Sequence, residues 1–217
     1  MKEKDSGFFW PSFTDLMTSL FFIMLVLYVL TFIKLQSELI KSEKEKRATE
    51  KELNKIKEIE KALKALPSEY FTYDEKYKKH ILNVEVKFNG GSSNMNDMNI
   101  DIRSKIRDAG KKIEKVLKDL YKKDARIQYL LVIEGQASKD TYSGNDVLSY
   151  NRAIALRNFW FDKGGDYASI YNNKLGPNTE VVIAGSGQYG VPRGLPDVPP
   201  KNQRFLITII PKIGELK

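Results

Sequence analysis

The sequence has no cysteine and a single histidine, His80. Without thiols there are no disulfides and no thiolate metal sites, and the redox compartment stays open. One histidine excludes His-cluster metal centres and most His-dependent triads. No glycine-rich phosphate loop is present. No base-stacking motif accompanies the basic residues, which argues against nucleic acid. A nucleophile–base set is also missing, and isolated carboxylates such as Glu134 and Asp140 do not make an active site. Neither an enzyme nor a resident cofactor or metal is expected.

What the chain does have is charge and one long apolar run. Lys and Arg number 36 against 28 Asp and Glu, a net charge of +8 over 217 residues. The basic residues gather between Lys34 and Leu66 and mix there with glutamates, as on a solvated helix face. The apolar run opens at Phe8-Phe9-Trp10-Pro11 and holds no charge from Leu16 to Ile33. About 18 such residues span a thin hydrocarbon core, and the full run of about 26 from Phe8 spans with tilt to spare. A signal h-region is about 7–15 residues and is followed by small residues. This run instead leads into Lys34-Leu35-Gln36 and reads as an uncleaved anchor. Pro11 suits a first helical turn, and Trp10 and Tyr28 suit interface or packing positions.

One ionisable residue, Asp15, lies inside the run. A carboxylate near the bilayer centre costs about 2.5–3.5 kcal/mol on insertion scales, so it faces a protein partner or an aqueous path. Asp15 is the first functional candidate. Thr18 and Ser19 share its helix face. They either line the path serving Asp15 or simply bond their own helix carbonyls.

Beyond the span, Ile56, Ile59, Leu63 and Leu66 step by three and four, a short coiled-coil-like stripe. Pro67 ends this segment, which reads as a helical linker suited to pairing two copies. The charge count near the span sets Lys2 and Lys4 against Lys34, Lys41, Lys44, Lys46 and Arg47. Taken alone, that places the C-terminal side in the cytoplasm.

The globular part starts near Ser68. Leu82, Val84, Val86 and Phe88 alternate with polar residues as a half-buried strand. Asn89-Gly90-Gly91-Ser92-Ser93 is a turn. A helical stripe of Ile102, Ile106, Ile113, Leu117 and Leu120 covers 99–122. Tyr129 to Glu134 is a strand and 135–145 a polar loop. Val147 to Asp162 is a helix burying Leu148, Leu156, Phe159 and Trp160, stopped at Gly164-Gly165. A helical turn over 166–171 follows. Val181–Ala184 and Phe205–Ile210 are strands either side of a long loop. The expected class is α/β, an α+β sandwich with a mixed sheet and helices on one face.

Two stretches carry a resemblance. Glu134-Gly135-Gln136-Ala137-Ser138, followed by Asn145-Asp146-Val147-Leu148-Ser149-Tyr150-Asn151-Arg152-Ala153, resembles the peptidoglycan-binding signature of OmpA-like domains. Phe88-Asn89-Gly90-Gly91-Ser92-Ser93 and Asn202-Gln203-Arg204 fit the same family. Pro11-Ser12-Phe13-Thr14-Asp15-Leu16-Met17-Thr18-Ser19-Leu20 resembles the membrane helix of MotB-type stator subunits. Within that family the wording is most similar to the ZorB subunits of Zorya anti-phage systems.

The resemblance implies a cell-wall-anchored subunit of an ion-driven rotary motor in a bacterial inner membrane. Residues 1–7 would be a cytoplasmic tail, 8–33 the transmembrane helix, 34–67 the linker and 68–217 a periplasmic OmpA-like domain. That orientation overrules the charge count. A homodimer of this chain would sit inside a ring of five MotA- or ZorA-like polytopic subunits. Asp15 would take up the translocated proton or sodium ion, with protons favoured because the span holds no further acidic ligand. Arg152 would bind the stem-peptide carboxylate of peptidoglycan, a task that suits the two-pronged guanidinium. Asn145 and Leu148 match the flanking positions, and Arg204 is a supporting candidate. The family commonly has aspartate where this chain has Ser138; Asp140 stands two positions on, and either residue is a candidate for that role. A flagellar or gliding stator and a passive membrane-to-wall tether are the alternative readings.

Overall fold

The computed structural model describes residues 9–161, 175–194 and 202–212, with side chains described from Phe13 in the first helix. The expected tail over 1–7, the Gly164-Gly165 stop and the helical turn over 166–171 lie outside the described residues. The chain divides into two compact units, Met1–Lys55 and Ile56–Lys217.

The first unit is helical throughout its described part, within α1 (Phe9–Lys64). By length and composition, α1 is the one helix among the described residues suited to crossing a membrane. A helix suits that solvent because it satisfies its backbone polar groups internally. Side chains from Phe13 to Lys51 are exposed. The Thr18 and Thr31 hydroxyls donate to carbonyls one turn back, Thr18 to Thr14 at 2.7 Å and Thr31 to Leu27 at 2.8 Å.

The second unit is the expected α+β sandwich. Its strands are β1 (Phe71–Asp74), β2 (Lys79–Leu82), β3 (Gln128–Gly135), β4 (Thr179–Gly185) and β5 (Phe205–Lys212), in the sheet order β1-β2-β5-β3-β4. Only β3 and β4 run parallel; the other neighbours are antiparallel. The register sets Tyr129, Leu131 and Ile133 of β3 beside Val181 of β4 and Ile207 and Ile209 of β5. These residues join one core with Ile106, Ile113 and Leu117 of α2 (Ile100–Lys123) and Ala153, Leu156 and Trp160 of α3 (Asn145–Phe161). The Asn99 side chain caps α2 by accepting from Ile102 N–H at 2.8 Å, satisfying one of the orphan donors of a helix start. Trp160 Nε1–H donates to the Ile106 carbonyl at 2.8 Å and ties the two helices together.

Gly135 and Gly185 stand opposite each other on β3 and β4. A Cβ on Gly135 would lie 2.1 Å from the Ser149 carbonyl oxygen, and one on Gly185 would lie 2.5 Å from Tyr150 N. The backbone of α3 therefore rests directly on the ends of both strands.

The sequence reading needs correcting in several places. The expected strand over Leu82–Phe88 is a strand only to Leu82. Beyond it the chain forms no ladder, yet Val84, Val86 and Phe88 stay buried and their neighbours exposed, so the alternation records burial without pairing. Leu82 instead ends a hairpin with β1, an element that the sequence reading omits. Finally, Leu148 and Phe159 are half-buried, while Ser149, Arg152 and Ala153 fill the inner face of α3.

The stripe that runs through the last turns of α1 and just past its end is committed to this chain's own core: Ile59, Leu63 and Leu66 are each about 5% exposed, buried with Phe71 and Leu82. The sheet offers these side chains an apolar surface within the same chain, so they are not free to pair two copies. His80 joins the same contact, its Nε2–H donating to the Leu63 carbonyl at 3.1 Å beside the Tyr73 ring. Burial pushes the His80 pKa below its ordinary value of 6.5, outweighing the hydrogen bonds that favour the charged form. The folded state thus prefers neutral imidazole. The stability His80 contributes is complete above the unfolded pKa and is lost as pH falls through the lower folded one. The melting temperature of the full chain should fall below about pH 6.5, and His80→Gln should flatten that slope. An identical slope in the variant would assign the acid sensitivity elsewhere.

Candidate functional site

The site is built where α3 meets the loop after β2. Arg152 lies two turns into α3 on its buried side and is only 3% exposed. Its Nε–H donates to the Ser92 carbonyl at 3.0 Å, and its guanidinium lies 4.5 Å above the centre of the Phe88 ring. Phe88 is held in turn by its own N–H, which donates to Gln203 Oε1 at 2.9 Å. Burial pushes the Arg152 pKa down to about 10, while Asp97 and then Asp140 work to raise it. The group therefore remains a cation at neutral pH. Among the described residues no carboxylate closes an ion pair with it. A buried guanidinium with a free donor edge is set up to receive an anion with two acceptor oxygens.

Asp140 is exposed at the mouth of the loop that leads into α3. Its Oδ1 accepts from Asn145 Nδ2 at 2.7 Å and from Tyr142 N–H at 2.9 Å. Asn145 also donates to the Tyr142 carbonyl at 2.9 Å, so a buried amide pins the loop and fixes Asp140. Ser138 is buried, and its hydroxyl has no hydrogen-bond partner among the described residues. An exposed carboxylate whose charge is felt by the buried cation suits the ammonium of a zwitterionic ligand. A neutral hydroxyl suits a weaker, uncharged contact.

The remaining sequence candidates fall differently. Leu148 closes the first turn of α3, donating its N–H to the Gly144 carbonyl at 2.9 Å, and offers only an apolar side chain. Arg204 donates to Asn202 Oδ1 at 2.8 Å, and the same oxygen accepts from Gly194 N–H at 2.7 Å. This places Arg204 in a cluster with the 186–194 loop; its neighbour Gln203 is the residue that reaches the Phe88 side of the site. Glu134, left as a lone carboxylate in the sequence, is nearly buried and paired with Lys79 at 2.6 Å. In the first unit, Asp15 and Ser19 are exposed on α1 with Thr18.

Phe88, Ser92, Asp97 and Gln203 are the residues that sequence reasoning did not assign to the site. Phe88 reads as one more inward residue of an alternating stretch. The available signal was its place directly before the Asn89-Gly90-Gly91 turn, at the end of the buried alternation.

No family model matches the chain, and no curated protein matches it. Solved structures with similarity include the periplasmic domain of Helicobacter pylori MotB, 17% identical over 65% of this chain and 89% of that one, with a TM-score of 0.42. A MotB like protein from Desulfovibrio vulgaris is 13% identical over 73% of this chain and 94% of that one, with a TM-score of 0.36. The OmpA-like domain of FopA1 from Francisella tularensis is 16% identical over 65% of this chain and 77% of that one, with a TM-score of 0.35.

Proposed function

We propose that this chain is the wall-anchored subunit of an ion-driven rotary membrane motor that acts in phage defence. The observation that carries the reading is the Arg152 guanidinium, buried and charged yet without an ion pair among the described residues. Burying a charge costs several kcal/mol unless a partner compensates it. A ligand carboxylate docked on the free edge supplies that partner, and Asp140 stands ready for the ligand's amine. Peptide stems of peptidoglycan carry both groups. The motif resemblance around Asn145, Leu148 and Arg152 supports the same ligand. The experiment is co-sedimentation of the full chain, in mild detergent, with purified sacculi, and competition by free stem peptide. Binding that ignores the peptide would remove the wall-anchoring role.

The motor half of the proposal rests on Asp15 within an otherwise uncharged apolar stretch. One charge crossing the membrane potential yields about 2.3 kcal/mol per 100 mV, the drive available for each step. Two copies of α1 inside a ring of polytopic partners would place Asp15 on the ion path, with protons as the favoured ion. Asp15→Asn, nearly isosteric and unable to carry the charge, should leave the chain in the membrane while abolishing ion uptake and protection against phage challenge. Loss of motility with intact phage resistance would assign a propulsive load instead. If both phenotypes survive the substitution, the chain is a passive tether.

A further inference from the structure

The direction in which the Arg152 fork points is set by very little. Phe88 supports one side of the guanidinium, its ring centre 4.5 Å from the central carbon, but a ring contact does not set which way the fork turns. The single hydrogen bond that Arg152 makes among the described residues, from Nε–H to the Ser92 carbonyl, sets that direction. Ser92 belongs to no helix or strand. It closes a turn whose main-chain bond runs from Ser92 N–H to the Asn89 carbonyl at 3.0 Å. The aim of the arginine thus depends on whatever holds this turn.

Asp97 holds it. Its Oδ2 accepts from Asn89 N–H at 3.1 Å. The Ser92 side chain and then the Asn89 N–H hold the Asp97 carboxyl below its ordinary value of 3.8, with Arg152 adding to the effect. Asp97 itself ends a short 3₁₀ turn, Met95–Asp97, anchored by buried Met95 and capped by Asn94 Oδ1, which accepts from Asn96 N–H at 3.0 Å. Ser92 Oγ in turn accepts from Asn94 N–H at 3.0 Å. The loop is therefore tied at both ends through one carboxylate.

We propose that Asp97 is a positioning residue of the Arg152 site: it clamps the Asn89–Ser92 turn so that the Ser92 carbonyl holds the guanidinium by its Nε–H and sets the direction of the fork. This rests on reading Arg152 as a carboxylate receptor. A carboxylate does the job better than an amide because bonds to an ionised acceptor are roughly twice as strong. Its charge also favours the buried cation through space. Because it is engaged by the turn, it supports the guanidinium without capping the edge that a ligand needs.

The test uses the full chain labelled with 15N-arginine in detergent micelles and follows hydrogen exchange at Arg152 Nε–H, with sacculus binding measured alongside. Asp97→Ala should speed exchange by about tenfold, the size of one lost charge-assisted hydrogen bond, and should weaken sacculus binding. Asp97→Asn, whose amide oxygen still accepts from Asn89, should fall between the two. Unchanged exchange in both variants overturns the proposal. If Asp97→Ala does not fold, Asp97→Asn decides alone: faster exchange upholds the clamp and unchanged exchange removes it. Exchange that responds to Asp97 in a chain that never binds sacculi keeps the clamp and discards the wall ligand.

Discussion

Arg152→Met should weaken binding to isolated sacculi at least about 100-fold, or about 2.7 kcal/mol, and leave the melting temperature unchanged or higher. On the wall-anchoring proposal the two effects separate, because there the arginine serves the ligand more than the fold. Truncating one member of a buried, hydrogen-bonded charge pair costs about 2–5 kcal/mol of binding. In the free protein the sums differ. Removing the guanidinium gives up one hydrogen bond to Ser92, about 1.5–3 kcal/mol, and the contact with Phe88, about 0.5–2 kcal/mol. It also relieves a desolvated, unpaired charge, a penalty of several kcal/mol. Methionine keeps the apolar stem and covers the Phe88 ring. Arg152→Lys keeps the charge but not the two-pronged geometry, so it should bind between wild type and Arg152→Met. Parallel collapse of melting temperature and binding in Arg152→Met would make the arginine a structural residue.

The second large effect concerns where the domain can be cut. A fragment starting at Ser68 should fail to fold, whereas one starting at Lys55 should melt cooperatively. The shorter fragment lacks Ile59, Leu63 and Leu66, all buried in the core. At about 1.5–3 kcal/mol for each buried side chain, the loss is roughly 5–9 kcal/mol. That rivals the ~5–15 kcal/mol holding a whole domain together. It also takes the Leu63 carbonyl away from His80, leaving a buried imidazole donor without its acceptor. A single Leu63→Ala in the full chain should cost about 2–5 kcal/mol. Far-UV circular dichroism and thermal melts check both. If the Ser68 fragment melts within a few degrees of the longer one, the last turns of α1 are dispensable to the core.

Much of the fold was legible because α2 carries one helical period and β3, β4 and β5 are short apolar runs. Ile106, Ile113, Leu117 and Leu120 fall on one helix face, and β3 is apolar through Tyr129–Ile133. The β1–β2 hairpin was not legible. Phe71 and Tyr73 alternate for only four residues, and the turn is made by Asp74 Oδ1 accepting from Tyr77 N–H amid lysines that read as solvated loop. The stripe Ile59-Leu63-Leu66 was legible as apolar but not as to its partner, since periodicity identifies a buried face without saying what buries it. At the site, Arg152, Asn145 and Asp140 lie within one contiguous motif. Their supports do not: Ser92 is 60 positions from Arg152, and Gln203 is 115 from Phe88. Contacts at that range follow from topology, and local sequence is silent about them.

The opposed glycines at the ends of β3 and β4 bear on how this molecule can drift over generations. Because α3 touches the strand ends at Ser149 and Tyr150 through main-chain atoms, the start of the helix sits at a height that a side chain at either glycine would raise. Deeper in the sandwich Leu156 and Trp160 pack as ordinary core side chains, and there an apolar residue of similar volume is tolerated. Variation is thereby shunted into the interior and away from the rim. In exchange, Gly135 and Gly185 admit no side chain without a shift of α3, so descendants that keep this packing keep both.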